Sequence, residues 1–478
     1  MEFNPILIVP ELYQLLLIVA LFCQSLGDGS DTPPAERWLP FFAGFGVFVS
    51  IVSWGAEGLI FGGAYKLDAL SQFFKVAIAA GFYVAVLNAA RQPSLEERKR
   101  PDYFMFLGIS AWGLMILSSA VELITIYIAL EISSYSLYAV IPLRNSGGVG
   151  HKGAAEAGIK YILFGAVATA IALYGFSYIL ASQHTSYIDQ LAQRSWHWSG
   201  QPMAVVGLSL FLGGMFYKLA LFPFHFWCPD VYQGSSNETA GFVATLPKLG
   251  AVVVLIRLAA LLKPGLEITT LLAVLGALSM TYGNLCALAQ RDLKRLLGFS
   301  SVAHAGYMMV GLVSGTAMGL SATAFYALAY VAMNLLCFWV VSRVASDGRN
   351  LTLDDLNGLY KRAPGLAFAL GVGAFALVGL PPTMGFMGKF FLITSAWDHG
   401  YNWLVITLVL NSAIAIYYYL SLVRHAYTHD AGDDAPVPDN SPFSVCGAGI
   451  LAAVVLVFGL VPGGLFDFAI RAGKQLLP

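Results

Sequence analysis

The chain has 478 residues, of which 58% are hydrophobic and only 11% are charged, and its formal net charge is −1. This composition excludes an ordinary soluble domain, and the lack of a basic run argues against nucleic acid as a partner. Apolar runs of about 20 residues recur along the whole chain, and each is long enough to cross a bilayer as a helix. The sequence therefore predicts an all-α membrane protein with many spans.

Fourteen membrane spans are predicted in chain order. They lie near residues 5–26, 38–55, 68–90, 103–120, 122–141, 154–181, 203–232, 240–262, 267–288, 297–315, 317–342, 364–397, 402–424 and 443–462. The turn between spans 4 and 5 is tight, so Glu122 is expected to cap the N-terminus of span 5, with a role at a channel entrance as the alternative. The loop at 343–363 is expected to hold a short amphipathic helix on the surface.

The distribution of lysine and arginine predicts how the chain is oriented. The loops that follow the odd-numbered spans, called the odd loops below, hold 16 of the 26 lysines and arginines when Lys160 and Arg424, near the adjoining span ends, are counted with them. The opposite side holds five, and the remaining five lie within spans. Because positively charged loops stay in the cytoplasm, both termini are predicted on the periplasmic side of a bacterial inner membrane.

Two of the spans are interrupted by proline. Pro223 interrupts span 7, and Pro381-Pro382 interrupts span 12. Each broken span is the fourth of a five-span set, spans 4–8 and 9–13, and an offset of five spans inverts the second set. Inverted repeats with broken helices are typical of transporters. The predicted segments are a three-helix N-terminal segment at 1–102, a first repeat at 103–262, an inverted second repeat at 263–424, and a C-terminal loop with the last helix at 425–478.

Four ionisable residues are expected near the middle of the bilayer, namely Glu131, Lys218, Lys248 and Lys389. A charge at that depth costs roughly 2.5–3.5 kcal/mol on insertion scales, which indicates a functional role. Burial disfavours a charged lysine, whereas a neighbouring carboxylate favours it, so Glu131 and Lys218 are predicted to form a protonation switch. The alternative is a set of fixed buried ion pairs that hold helices together.

Two histidines are further candidates for the same proton path. His304 lies in span 10, and an imidazole titrates near neutral pH, so it is a candidate relay between the two halves. The alternative for His304 is an ordinary packing role. His225 follows the break in span 7 and is included as a weaker candidate.

Motifs for cofactors and metals give no support to a redox site. The five cysteines are scattered without a CxxC pair, which is typical of inert helix residues. Residues 148–153 match GxGxxG but follow a membrane span instead of a strand, which disfavours a dinucleotide site. His425 and His429 have HxxxH spacing, but they lie in a charged loop, so a metal site is not predicted.

Five segments carry a resemblance to a known family. They are VELITIYIALEISSYSLYAV at 121–140, GGMFYKLALFPFHFWCPDVYQG at 213–234, ATLPKLG at 244–250, RDLKRLLGFSSVAHAGYM at 291–308 and GLPPTMGFMGKF at 379–390. In sequence and order they resemble the antiporter-like proton-pumping membrane subunits of respiratory complex I (NADH-quinone oxidoreductase), and among these the subunit N (subunit 2) branch. The likeness extends over essentially the whole chain.

The resemblance implies a role for each buried charge. Glu131 matches the family's glutamate of helix 5, Lys218 its lysine of helix 7, Lys248 the connecting lysine of helix 8, and Lys389 the lysine of helix 12. The implied function is proton translocation driven by quinone reduction in partner subunits, which are expected to carry NADH, FMN, the iron–sulfur clusters and the quinone. No cofactor is expected in this chain. The alternative function is a subunit of a multisubunit cation/proton antiporter.

Overall fold

The computed structural model describes residues 5–27, 34–90, 92–144, 151–263, 265–428, 430–432 and 434–474. Within these ranges the chain forms nineteen α-helices. The first ten are Val9–Leu26 (α1), Ala35–Val52 (α2), Ala69–Ala89 (α3), Arg100–Ser119 (α4), Leu123–Val140 (α5), His151–Gln183 (α6), Ile188–Leu191 (α7), Pro202–Leu219 (α8), Trp227–Gly234 (α9) and Asn237–Leu258 (α10). The others are Glu267–Leu288 (α11), Leu293–Val313 (α12), Ala317–Val344 (α13), Leu359–Arg362 (α14), Pro364–Val378 (α15), Met384–Ala396 (α16), Asn402–Thr428 (α17), Pro442–Leu460 (α18) and Gly463–Lys474 (α19).

Thirteen of the helices in the described ranges are long and apolar enough to cross a membrane. The predicted span 12 is divided into the shorter apolar helices α15 and α16, and the predicted span 7 is divided into α8 and α9. The all-α membrane fold and the positions of both broken spans are therefore confirmed. Glu122 is the N-cap of α5, as expected, since its carboxylate accepts a hydrogen bond from the Thr125 amide at 2.8 Å.

The two breaks have the same local geometry. The helix before each break ends in a left-handed residue, Ala220 after α8 (φ 60°) and Gly379 after α15 (φ 89°). The following amide then donates back to a carbonyl five residues earlier, from Leu221 to Phe216 at 2.8 Å and from Leu380 to Phe375 at 3.0 Å. This Schellman-type closure satisfies the last carbonyls of a helix that ends inside the protein.

A pair of glycines marks a second correspondence between the two five-helix sets. Gly113 of α4 and Gly283 of α11 each lie where the first helix of a set touches the second. A Cβ atom at either position would come within 3 Å of the backbone of the facing helix, so only glycine permits the approach. The backbone contacts are Ala129 and Ser133 for Gly113, and Phe299 and Ala303 for Gly283.

The helices α10, α12 and α13 form the centre of the bundle. In their most apolar 18-residue windows 100%, 94% and 89% of the residues are buried, against 22% in α2 and 28% in α18. Lys248, His304 and Tyr330 lie on these three helices. The central polar groups are therefore removed from lipid by a surrounding layer of apolar helices.

Two local features differ from the sequence-based expectation. Gly58–Ile60 (β1) and Tyr65–Leu67 (β2) form an antiparallel hairpin that the fourteen-span prediction did not include. Gly62 and Gly63, both with positive φ, provide its turn. The amphipathic helix expected in the loop at 343–363 is also wrong. The chain makes only single turns there, because Gly358 has a φ of 66° and separates them.

Candidate proton path

A small cavity lies between α5, α6 and α8. Glu131, Thr169 and Lys218 line it together with Tyr138 and Tyr217. Its volume is about 10 Å³, which is room for roughly one water molecule. Thr169 Oγ1 donates to Glu131 Oε1 at 2.8 Å, so one carboxylate oxygen is held on the α6 side of the cavity.

Lys218 faces Glu131 across this cavity without a direct ion pair. Its Nζ lies 3.4 Å from the Tyr161 hydroxyl and 5.6 Å from the centroid of the Tyr161 ring. Among the described residues no carboxylate lies within 4.0 Å of Lys218 Nζ. The carboxylate and the ammonium thus share one buried space, in which a change of side-chain rotamer brings them together or separates them.

Lys248 is bound inside the central layer. Its Nζ donates to the Ser301 hydroxyl of α12 and lies 5.4 Å from the centroid of the Tyr330 ring. Ser301 is also hydrogen bonded to the Tyr330 hydroxyl and lies 3.2 Å from the Tyr232 hydroxyl. One hydroxyl group therefore binds the ammonium group directly, and two tyrosine hydroxyls bind that hydroxyl in turn.

His304 has a hydroxyl group on each side of its ring. Nδ1 lies 2.7 Å from the Tyr326 hydroxyl and Nε2 lies 3.2 Å from the Tyr419 hydroxyl. A hydroxyl both donates and accepts, so the imidazole can take a proton on one nitrogen and release it from the other. The geometry suits a relay.

Lys389 is coordinated by the break between α15 and α16. Its Nζ donates to the carbonyls of Val378 at 2.8 Å and Leu377 at 3.4 Å, and to Ser412 Oγ at 3.1 Å. The Nζ atom also lies 4.4 Å from the centroid of the Tyr307 ring. The end of α15 therefore supplies the carbonyl oxygens that replace water around this buried ammonium.

Tyrosine rings separate the titratable groups of the second half. The Tyr330 ring lies 5.3 Å from the His304 ring and 5.4 Å from Lys248 Nζ. The Tyr307 ring lies 5.4 Å from the His304 ring and 4.4 Å from Lys389 Nζ. Lys248, His304 and Lys389 are thus linked in this order through two tyrosine rings, and they are called the central row below.

The contact between Lys218 and this row is aromatic. The Tyr161 ring beside Lys218 lies 4.8 Å from the Trp227 ring, which lies 6.3 Å from the Tyr232 ring beside the Ser301 hydroxyl. Rings without a hydrogen bond between them do not conduct a proton, so this step requires bridging water or a change of conformation.

His225 lies apart from the row. Its ring packs against Phe222, Phe226 and Tyr282, with centroid distances of 5.5, 4.6 and 4.7 Å. We included His225 with the buried lysines in the predicted proton path because His225 follows the break in span 7. Its observed contacts are those of a packing residue at that break.

A second cluster of buried charges has no role in the sequence-based predictions. Lys75 of α3 pairs with Glu11 of α1 at 2.7 Å, and both are almost fully buried. The Tyr65 hydroxyl from the hairpin donates to Glu11 at 2.6 Å and lies 2.7 Å from Lys75 Nζ. The only sequence signal was the presence of Glu11 and Lys75 within apolar runs, and the hairpin that brings Tyr65 to them was not predicted.

Asp68 and Arg257 form a further buried pair next to this cluster. The guanidinium donates to both carboxylate oxygens at 3.0 Å, and it also donates to the carbonyl of Ser118. Asp68 is the N-cap of α3, and Arg257 lies near the end of α10. This pair fastens the N-terminal helices to the same helix that carries Lys248.

Two motif matches that were set aside lie partly outside the described residues. Of the GxGxxG match, residues 148–150 are among those not described. The same holds for His429 of the HxxxH match. His425 lies in the last turn of α17 and not in a loop as predicted, and its Nδ1 lies 2.8 Å from Asn357 Oδ1 in the segment before α14.

Comparison with known proteins gives a consistent family assignment. A family model described as NADH:quinone oxidoreductase/Mrp antiporter matches residues 120–415. NADH-quinone oxidoreductase subunit N 2 of Solidesulfovibrio magneticus is 59% identical over 98% of this chain and 99% of its own length. The protein of the same name from Opitutus terrae is 43% identical over 96% of both chains.

Solved structures show the same fold. A chain of respiratory complex I from Thermus thermophilus with bound Aureothin superposes with a TM-score of 0.84 at 32% identity, covering 96% of this chain and 99% of that one. A chain of the Mrp complex from Dietzia sp. also gives a TM-score of 0.84, at 18% identity over 99% and 97% of the two chains. The second likeness concerns the fold alone. From the family match and the high identity over nearly the whole length, the chain belongs to the subunit N family of NADH-quinone oxidoreductase.

Proposed function

We propose that this chain is the proton-translocating membrane subunit of a quinone-reducing, complex I-type enzyme in a bacterial inner membrane. The observation that supports this most directly is the row of Lys248, His304 and Lys389 at the centre of the bundle. Fully buried cations are costly, and here each has a hydroxyl or carbonyl partner that can share or solvate a proton. A purely structural set of charges has no need of such a row.

Each group has a proposed task. Glu131 and Lys218 form the switch of the first half, Lys248 connects the halves, His304 relays and Lys389 exchanges protons at the far end. His225 stays a weak candidate, because its contacts are aromatic.

We propose four structural units, the segments 1–102, 103–262, 263–424 and 425–478, with the two middle ones as inverted repeats. NADH, FMN, iron–sulfur clusters and quinone belong to partner subunits in this proposal.

The antiporter alternative rests on less. The chain shares its fold with the Mrp complex at 18% identity, whereas subunit N relatives reach 59%. Other membrane subunits of complex I are therefore the expected partners. The composition of the purified complex distinguishes the two proposed functions, because only the complex I function predicts quinone-reductase subunits alongside this chain.

Lys389→Met tests the proposed path. Methionine keeps the apolar bulk and removes the ammonium, so proton translocation is expected to fall about tenfold in a complex that still assembles, which is less than the roughly 100- to 10,000-fold typical for loss of a general acid or base. Ser412 and Tyr307 remain as polar groups and limit the loss. The measurement is proton uptake by membrane vesicles, driven by the electron donor of the complex.

The matched control for this test is Lys361→Met. Lys361 is an exposed lysine of α14 that pairs with Asp430 at 2.6 Å, and it lies outside the membrane spans. Its replacement is expected to leave translocation unchanged. Full translocation by an assembled Lys389→Met complex would return that lysine to a structural role.

The proposed orientation makes a separate prediction. Glu97 lies in an exposed odd loop, and Ser199 is exposed on the opposite side. In a background without native cysteines, Glu97→Cys is expected to react with a membrane-impermeant maleimide only from the cytoplasm, and Ser199→Cys only from the periplasm. Labelling of permeabilised cells shows that both thiols are reactive, and the reversed pattern contradicts the proposed sidedness.

A further inference from the structure

A buried carboxylate that the proposed path leaves out lies at the beginning of α10. Glu238 is 2% exposed, and the Ser94 hydroxyl donates to one of its oxygens. The other oxygen, Oε2, is buried and has no hydrogen-bond partner among the described residues. Because α10 also carries Lys248 ten residues later, this carboxylate lies roughly 15 Å from Lys248 along the helix, towards the odd loops.

The charged groups around Glu238 come from three chain segments. Arg144 follows α5, and Asp292 and Lys294 begin α12; all three interact electrostatically with one another or with Glu238. Tyr103 of α4 is the remaining titratable neighbour. Two basic side chains and two acidic ones therefore meet at the start of α10 and α12.

The two cations bind backbone carbonyls and leave the carboxylate free. Arg144 donates to carbonyls at the end of α9 and to Gly348, and Lys294 Nζ donates to the Ser235 carbonyl at 2.7 Å. No ion pair within 4.0 Å joins Glu238 to either cation in the part of the chain that the structure describes. The Glu238 carboxylate is thus buried from solvent without a direct salt bridge to either cation.

Several polar atoms without a protein partner surround this position. Buried atoms of this kind cost about 1–3 kcal/mol each unless water binds them. The atoms are Glu238 Oε2, Asn237 Oδ1, Arg144 Nε and Asn350 Oδ1. Four such atoms on converging loops indicate a buried polar site with an unusual demand for bound water.

Tyr232 lies between this site and Lys248. Lys294 binds the Ser235 carbonyl, and Ser235 Oγ donates to the backbone carbonyl of Tyr232 at 3.4 Å. The Tyr232 hydroxyl, at the other end of the same residue, is 3.2 Å from Ser301 Oγ, which accepts from Lys248 Nζ. Tyr232 therefore contacts both the Glu238 site and the central row, and a proton that passes from the site to the Tyr232 hydroxyl requires bridging water.

We propose that Glu238 is the group that collects protons from the odd-loop side and supplies them to Lys248, an inference that rests on the proposed function. The Glu238 carboxylate takes one proton from water and becomes a carboxylic acid. It then releases that proton to bound water, and this water passes a proton to the Tyr232 hydroxyl and from there to Ser301, where each hydroxyl accepts one proton and gives up another. The neutral Lys248 amine accepts the last proton, and the carboxylate is restored.

Glu238→Gln is the test of this step. The amide keeps the shape and the Ser94 contact but does not carry a proton. Turnover of the assembled complex is expected to fall about tenfold at alkaline pH and to recover in part at acidic pH. The reason is that the rate of proton uptake depends more steeply on proton concentration when the collecting carboxylate is missing. Glu238→Asp keeps a carboxylate and is expected to retain most of the activity.

Asp292→Asn is the matched control. Asp292 lies in the same charge cluster but caps α12 through the Arg295 amide at 2.9 Å, so its loss is structural and is expected to act equally at every pH. If Glu238→Gln lowers turnover by the same factor at every pH, or leaves it unchanged, the inference is overturned.

A second variant keeps the test informative if Glu238→Gln does not assemble. Tyr232→Phe preserves the ring and removes only the hydroxyl that meets Ser301, so it is expected to slow turnover in a similarly pH-dependent way. Normal turnover of Tyr232→Phe overturns the route. The Lys389→Met variant separates the two proposals. Normal pumping by Lys389→Met contradicts the whole proposed path. Reduced pumping by Lys389→Met, together with wild-type turnover of Glu238→Gln and Tyr232→Phe, contradicts only the entry step at Glu238.

Discussion

Glu131→Gln is expected to lower proton pumping by about 100-fold, the usual scale for loss of an essential proton-transfer group, in a complex that still assembles. Among the described residues that line the cavity beside Lys218, Glu131 is the only carboxylate, and the amide removes its charge. Without that charge the buried ammonium is less favourable, so Lys218 loses its proton and stays neutral. Quinone reduction is expected to slow with pumping, since a coupled enzyme stalls when one charge does not move.

Lys218→Met is expected to lower proton pumping by about the same factor, but by removing the positive charge instead of the negative one. It leaves a buried carboxylate, which takes up a proton to avoid the penalty of desolvation. Thr169 alone does not supply a compensating charge. Glu131→Asp keeps the charge on a shorter side chain and is expected to retain part of the activity.

The double variant Glu131→Gln/Lys218→Met distinguishes a switch from a structural pair. A structural pair predicts recovery, because no unpaired charge remains. A switch predicts that the double variant stays inactive. The absence of a direct ion pair between Glu131 and Lys218 in the described chain favours the switch. The test is to quantify assembled complex first and pumping second; restored pumping in the double variant contradicts the switch.

Lys75→Met is expected to have the largest effect on stability, about 3–5 kcal/mol, because it leaves the Glu11 carboxylate buried without its partner. The Tyr65 hydroxyl remains hydrogen bonded to Glu11 but brings no positive charge. Assembled complex in the membrane should fall sharply, and thermal inactivation should move to lower temperature. The pumping rate per assembled complex should change little.

Glu11→Gln/Lys75→Met is the corresponding control. With both charges removed no unpaired ion remains, so assembly is expected to recover most of its wild-type level. If the single variant assembles normally but pumps poorly, the Glu11–Lys75 pair takes part in proton movement, and its assignment as a structural pair is wrong.

The sequence was sufficient for the membrane-spanning helices and for the burial of four charged residues, for physical reasons. Apolar runs of bilayer length leave little alternative to a membrane helix. Prolines at 223 and at 381–382 lie at the two breaks and lack the amide hydrogen that a continuous helix needs, although α10 continues through Pro247. The cost of a charge at bilayer depth singles out Glu131, Lys218, Lys248 and Lys389 without knowledge of their neighbours.

The partners of those charges could not be predicted in the same way. Asp68 and Arg257 are 189 residues apart in sequence, and nothing local to either residue indicates the other. The two hydroxyls that flank His304 come from α13 and α17, whose rotation about their axes is set by packing. Glu238 was not selected because it lies close to a predicted helix start, where a carboxylate normally needs no further explanation.

The glycine contacts between the first two helices of each set have an electrical consequence. The step along the sequence that takes Gly113 to Gly283 also takes Ala129 to Phe299 and Ser133 to Ala303. The same step takes Glu131 to Ser301. The two halves are therefore alike in shape but unlike in charge: one holds an anion at this position and the other a neutral hydroxyl bound to Lys248. We therefore expect a cation to be held more strongly beside Glu131 than beside Ser301, which would give the two proposed repeats unequal electrostatic potentials.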